Sequence, residues 1–158
     1  MQPFPAHGKL PSFRFTKGIT LIELLVVVAI IGLIAIPLLL TYRSYRTNQA
    51  LIASAETVSN HTRSAHVFAR EAKNQREWGV KSTSAASYAI YSSGPTGEAI
   101  EQRYSLDLGV SFEREFEILF SIGEGTAERD YTIELVNTNN RRAILGVSRA
   151  GVVEVEWP

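Results

Sequence analysis

The chain contains no cysteine among its 158 residues, which excludes disulfide bonds, thiol catalysis and cysteine-ligated metals. It also carries no net charge, because 16 Lys and Arg residues balance 16 Asp and Glu residues. Without an excess of basic residues, nothing in the composition favours a nucleic acid as a partner, and none is expected. Any folded domain must therefore be held together by packing and hydrogen bonds, and no motif predicts a cofactor or a metal site.

The charges are unevenly distributed along the chain. Lys9, Arg14 and Lys17 make residues 1–18 basic, with no acidic residue among them. The residues that follow hold thirteen basic and sixteen acidic side chains, so they are mildly acidic. The sequence thus divides into a basic leader and a remainder long enough for one domain.

Residues 24–40 form an uninterrupted apolar run, LLVVVAIIGLIAIPLLL. Extended back to residue 19, the segment spans roughly 33 Å as a helix, at about 1.5 Å per residue, and so can cross a bilayer. A buried core helix is the alternative, but a helix that is apolar on every face needs protein on every face, and too few residues follow to enclose it. No small-residue cleavage pattern follows residue 40, so we expect the span to stay in the mature protein.

The basic leader favours an N-terminus on the cytoplasmic side of this span. Arg43 and Arg46, just beyond the other end, oppose that orientation, so the preference rests on three basic residues against two. The sequence therefore predicts a single-pass membrane protein with its N-terminus in the cytoplasm and its C-terminal domain on the opposite side of the membrane.

The remaining sequence changes its periodicity once. Small or apolar residues recur every three or four positions, which predicts an amphipathic helix over residues 41–78. They are Leu51, Ala55, Val58, Thr62, Ala65, Ala69 and Ala72. From residue 79 the period falls to two, as in residues 116–122, 131–135 and 153–156, with turn-forming stretches at residues 94–97, 123–125, 137–140 and 148–151. The predicted fold is α+β: a long N-terminal helix packed on an antiparallel β-sheet domain of residues 79–158.

The junction between leader and span is the most informative segment. Lys17 and Gly18 precede Ile19, and Glu23 follows one turn later, at the start of the apolar run. This segment resembles the N-terminal motif of type IV prepilins and of the pseudopilins of type II secretion. The resemblance implies cleavage after Gly18 by a prepilin peptidase, N-methylation of Ile19 by the same membrane enzyme, and a role for Glu23 in assembly. Other pilin or pseudopilin subunits and an inner-membrane assembly platform are the implied partners.

Glu23 is unusual on physical grounds as well. A carboxylate costs about 2.5–3.5 kcal/mol at the bilayer centre and less near the interface, so it needs a partner or a route to water. The amine that cleavage creates at Ile19 lies one turn away and is the nearest candidate, on the same chain or on a neighbouring subunit. A plain structural interpretation also exists, in which Glu23 simply reaches the interface.

Two positions depart from the family pattern. Mature pilins usually begin with Phe, whereas this chain would begin with the β-branched Ile19, a difference that bears on methylation rather than on cleavage. The helix-kinking proline of many major pilins lies further along than Pro37, and a kink here would fall about one turn earlier.

The C-terminal half most resembles the minor pseudopilin H and minor pilin T group, which predicts a structural pseudopilin rather than an enzyme. The alternatives are a minor type IV pilin for pilus assembly, adhesion or DNA uptake, and a membrane-anchored periplasmic binding domain that never polymerises. We expect His61 and His66 to be solvated surface residues, because their spacing does not match a zinc-binding helix. Three glutamates, Glu113, Glu115 and Glu117, are expected to share one solvated strand face.

Overall fold

A computed structural model describes residues 20–158, with Leu40 described by its backbone alone. The chain divides after Leu39 into two compact units. One long helix, α1 (Leu21–Arg70), contributes to both. The second unit adds antiparallel β-sheets, and the predicted α+β class is confirmed.

The part of α1 in the first unit presents apolar side chains to its surroundings on every face. From Leu21 to Leu39 each residue is exposed except Ala35, which is half-buried. By length and composition this helix is able to cross a membrane. It runs through Pro37 without interruption, so the bend predicted at that residue stays a prediction.

The part of α1 in the second unit is amphipathic, as the spacing predicted. Its buried face consists of Leu51, Ala55, Val58, Thr62, Ala65 and Ala69. Because five of these six side chains have three or fewer heavy atoms beyond the backbone, the helix can lie close to the strands it covers. Ala72, the seventh predicted member of this face, lies beyond the helix and is only half-buried.

The predicted end of the helix at residue 78 is wrong. The helix ends at Arg70, and Ala72, Asn74 and Gln75 adopt positive φ, which no helix can continue. A short 3₁₀ turn, Lys73–Gln75, then leads into a strand that already contains Trp78. Five of the six residues from 71 to 76, all but Asn74, are good helix formers. In the structure the indole of Trp78 is buried and donates to the Lys73 carbonyl at 2.9 Å.

Eight strands follow the helix. They are β1 (Glu77–Ser84), β2 (Ser87–Gly94), β3 (Gly97–Ser105), β4 (Val110–Phe112), β5 (Glu117–Phe120), β6 (Tyr131–Asn137), β7 (Arg142–Val147) and β8 (Val153–Glu156). They form two four-stranded sheets rather than one, in the orders β3-β2-β1-β5 and β4-β6-β7-β8. Every pairing is antiparallel. Each of the four predicted turn segments lies in a connection between consecutive strands, and two of them overlap the strand ends.

The strand predicted over residues 116–122 is shorter than expected. Only Glu117–Phe120 pairs in the sheet, with Ile118 and Phe120 buried, while Ile122 lies in the following turn and is exposed. The expected common strand face of the three glutamates is therefore wrong, because Glu113 and Glu115 precede β5. Glu113 pairs instead with Arg142 of β7 at 3.1 Å.

One hydrophobic core joins α1 to both sheets. Val80, Ile90 and Ile118 contribute to it from the first sheet, and Ile133 and Leu145 from the second. All of these are at least 95% buried, so packing of apolar side chains stabilises a domain that has no disulfide bond.

Two glycine turns close against the C-terminal part of α1. Gly125, with φ of +72°, and Gly151, with φ of +80°, both approach the imidazole of His66. A Cβ on Gly151 would lie 2.2 Å from that ring. Gly123 has nearly the same φ, +79°, but open space around it.

Replacing Gly151 by Ala should therefore destabilise the domain more than replacing Gly123. Both changes impose positive φ on an L residue, which costs about 1–2 kcal/mol. Gly151→Ala adds overpacking against His66, worth about 1–3 kcal/mol more. Denaturant unfolding of the two variants measures the difference. Equal losses in the free energy of unfolding would mean that the His66 ring moves away from the added methyl group without cost.

Candidate functional site

The described N-terminus of α1 is built from a capping interaction. Thr20 precedes the helix, and its hydroxyl accepts a hydrogen bond from the Glu23 backbone N–H at 3.3 Å. A Thr followed three residues later by Glu is the capping-box pattern, in which the carboxylate can bond back to the N-cap amide. The negative charge also lies at the positive end of the helix dipole. Sequence reasoning missed this local reason for a Glu at position 23, although the Thr-x-x-Glu spacing carried the signal.

The other two residues of the predicted site, Gly18 and Ile19, lie outside the described residues, as does the leader. Cleavage after Gly18, methylation of Ile19 and pairing of its amine with Glu23 therefore stay predictions. The described residues do place Glu23 in the first turn of α1, exposed, at the edge of the apolar surface.

The apolar surface beyond Glu23 is large. Leu21, Ile22 and Leu33 are more than 70% exposed, and none of the fourteen Leu, Ile and Val side chains from Leu21 to Leu39 is buried. Full burial of one such side chain is worth about 1.5–3 kcal/mol. The segment is thus stable only where lipid or other apolar helices surround it.

Both histidines of α1 are packed against the sheets, so the expectation that they are solvated is wrong. Nδ1 of His61 lies 2.7 Å from the Tyr88 hydroxyl, and its ring is 3.9 Å from that of Tyr104, centroid to centroid. His66 meets the edge of Phe120 at 5.4 Å. Partial burial lowers the pKa of both imidazoles below 6.5, and Arg70 lowers the pKa of His66 further.

These pKa shifts predict acid sensitivity of the domain. Since both folded pKa values lie below the unfolded value of 6.5, the unfolded state takes up protons first as pH falls. The stability is fully present above about pH 6.5 and is lost as pH falls through and below it. Thermal unfolding followed by circular dichroism at pH 7.5 and 5.5 should show a lower Tm at the acid pH.

The matched variants test the assignment. Replacing His61 or His66 by Gln should reduce the dependence of Tm on pH between these values, whereas His7→Gln, in the predicted leader, should leave it unchanged. An unchanged pH dependence in the His61→Gln/His66→Gln double variant would show that other groups cause the acid sensitivity.

A groove between the two sheets was not foreseen from the sequence. It encloses about 610 Å³ and is lined by Tyr91, Tyr131, Glu98, Glu117 and Asp130, among others. Burial raises the pKa of the Tyr91 hydroxyl, and the neighbouring Glu117 raises it further. The groove joins β2, β3 and β5 of one sheet to β6 of the other, so only the tertiary pairing brings these side chains together.

Among residues 20–158, no group of three or more His, Asp or Glu side chains is placed to hold a metal ion. The described features that remain are a wholly exposed apolar helix, a carboxylate in its first turn and a two-sheet domain. They fit a protein that is anchored in a membrane by its first helix and carries an α+β domain outside it.

Comparison with known proteins finds a family model and two solved structures that this chain resembles. A family model of the prokaryotic N-terminal methylation motif matches residues 14–39. Two solved structures of the minor pseudopilin EpsH from the type 2 secretion system of Vibrio cholerae have the same fold. One covers 68% of this chain and 97% of EpsH with a TM-score of 0.56 at 11% identity. The other covers 71% and 96%, with a TM-score of 0.55 at 10% identity.

No curated protein sequence matches the chain at a significant level. The motif and the fold are nevertheless independent findings, since one rests on residues 14–39 and the other on most of the chain. This chain therefore combines an N-terminal methylation motif with the fold of the minor pseudopilin EpsH.

Proposed function

We propose that this protein is a minor pseudopilin of type II secretion: a structural subunit that is cleaved after Gly18, methylated at Ile19 and assembled into a periplasmic pseudopilus. Prepilin peptidase would process it, and other pseudopilins and the inner-membrane assembly platform would be its partners. The observation that carries the proposal is the apolar surface of Leu21 to Leu39, exposed on all faces and bounded by Glu23.

The apolar segment has different surroundings before and after assembly. Before assembly, the bilayer covers the apolar residues, and Glu23 lies close to one headgroup layer. After assembly, the same residues would be covered by the helices of neighbouring subunits. In that setting a carboxylate without a partner is disfavoured, so pairing with an N-terminal amine would select one axial register.

The fold supports the choice of a minor pseudopilin over a pilin, because both structural neighbours are minor pseudopilins. The domain would then face the periplasm, with the N-terminus in the cytoplasm, as the basic leader favours.

Processing is tested by the intact mass of the full chain after co-expression with a prepilin peptidase. We expect loss of residues 1–18 and gain of one methyl group. Gly18→Leu should retain the leader, because a side chain at that position obstructs the peptidase. An intact N-terminus on the wild-type protein would contradict the proposal.

Assembly is tested by Glu23→Gln, which keeps the capping-box pattern but removes the charge. The variant should be cleaved normally, yet recovered in filaments about tenfold less, since a lost interaction of only 1.4 kcal/mol gives that factor. Glu56→Gln, which changes an exposed carboxylate in the second unit, is the matched control and should assemble as the wild type does.

Equal assembly of Glu23→Gln and Glu56→Gln would mean that Glu23 serves only as a helix cap. Deletion of the gene from its host distinguishes type II secretion from a type IV pilus system. Loss of protein secretion would indicate a pseudopilus, and loss of surface pili would indicate a type IV pilus.

A further inference from the structure

A cleft of about 840 Å³ opens beside α1 in the second unit, close in sequence to the end of the apolar segment. One wall is the helix from Arg43 to Ala53, and the other is made of the loops between β3 and β4 and between β6 and β7. Its lining includes Arg43, Arg46, Asp107, Leu108 and Asn139. We call this the juxtamembrane cleft.

The two arginines carry the positive charge of the juxtamembrane cleft. Arg43 and Arg46 are three positions apart, so their side chains lie on the same helix face. Both are exposed, and neither takes part in an ion pair with any residue of the range 20–158. Two neighbouring guanidinium groups with unused donors match the oxygens of one phosphate group.

Their position along the chain places them at lipid headgroups. Arg43 and Arg46 follow Leu40 by three and six residues, or about 4.5 and 9 Å along the helix. Long side chains of a helix lean toward its N-terminus, which here is the apolar end. The headgroup layer beyond the hydrocarbon core is about 5–7 Å deep on each side, so both guanidinium groups reach it.

Tyrosines flank the same two arginines. Tyr42 and Tyr45 are each 59% exposed, and aromatic residues of this kind are enriched at the membrane–water interface. Basic residues at the translocated end of a span oppose insertion, so Arg43 and Arg46 are a cost that the leader has to overcome. A bound anion on that side would offset the cost, and in either orientation of the span the arginines meet a headgroup layer.

Hydrogen bonds hold the second wall of the juxtamembrane cleft in place. The Asn139 amide donates to the Ser44 hydroxyl at 3.2 Å, and the amide of buried Asn137 donates to the Thr47 carbonyl at 3.3 Å. On the other loop, the Ser54 hydroxyl donates to the Asp107 carboxylate at 3.3 Å. Among the lining residues that the structure describes, the one acidic group is therefore hydrogen-bonded to Ser54, and the walls are formed before any ligand arrives.

We infer that the juxtamembrane cleft binds the headgroup of an anionic phospholipid, with the phosphodiester held between Arg43 and Arg46. This inference rests on the membrane anchoring in the proposed function, but not on cleavage or filament assembly. The lipid would hold the domain end of α1 at the bilayer surface.

The experiment uses the full chain in bilayers that contain spin-labelled phosphatidylglycerol or spin-labelled phosphatidylcholine. The fraction of motionally restricted lipid in the electron paramagnetic resonance spectrum reports the preference for each lipid. The wild type should prefer the anionic lipid, and Arg43→Gln/Arg46→Gln should lose that preference. Each arginine near a charged surface contributes about fivefold in affinity at low salt.

Arg103→Gln/Arg114→Gln is the matched control, because it removes the same charge from two exposed arginines that do not line the juxtamembrane cleft. It should keep the preference for phosphatidylglycerol. Equal loss in both double variants, or no loss in Arg43→Gln/Arg46→Gln, overturns the inference. Abolition of the preference by inorganic phosphate, but not by sodium chloride of the same ionic strength, would also overturn it, since the cleft would then take free phosphate.

A spin label separates this inference from the anchoring on which it rests. The chain has no cysteine, so Ile31→Cys gives a single labelling site within the apolar segment. A label at residue 31 that is accessible to oxygen but not to a water-soluble nickel chelate reports an inserted span. With the span inserted, absence of lipid preference overturns the headgroup site alone, whereas a label exposed to the chelate overturns the anchoring and the site together.

Discussion

Water solvates an all-round apolar helix poorly, and the segment from Leu21 to Leu39 exposes such a surface on every face. The rest of the molecule depends on how that surface is covered. In a bilayer the lipid tails cover it, and in a filament the helices of other subunits would do so. Because both surroundings are apolar, transfer from one to the other would change little in hydrophobic free energy, and in the proposed filament polar groups at the two ends of the segment would decide the register.

Those polar groups differ at the two ends. At the N-terminal end, Glu23 lies in the first turn, where a helix favours negative charge, and Thr20 caps the same turn. At the other end, Arg43 and Arg46 follow the last apolar residues. One residue can thus have a local and an assembly role: a Glu that starts a helix is also a charge that a dry interface must neutralise.

The domain beyond the span is stabilised by packing against α1. The buried face of the helix is made mostly of small side chains, while larger side chains, such as Tyr88, Phe120 and Leu145, come from the sheets. This arrangement fixes where the turns must lie, since Gly125 and Gly151 both close on His66. It also explains why the side chains of His61 and His66, which belong to the helix, are partly shielded from water.

The sequence by itself determined the apolar span, the buried stripe of α1, the α+β class and the turns, because each depends on periodicity or on local backbone preference. It did not determine where the helix ends, since all of residues 71–76 except Asn74 favour a helix, whereas Trp78 is buried in β1. Tertiary structure also decided the division into two sheets, the packing of His61 and His66, and the juxtamembrane cleft. Each of these joins residues far apart in the chain, and pairing between distant strands leaves no periodic signal in either strand alone.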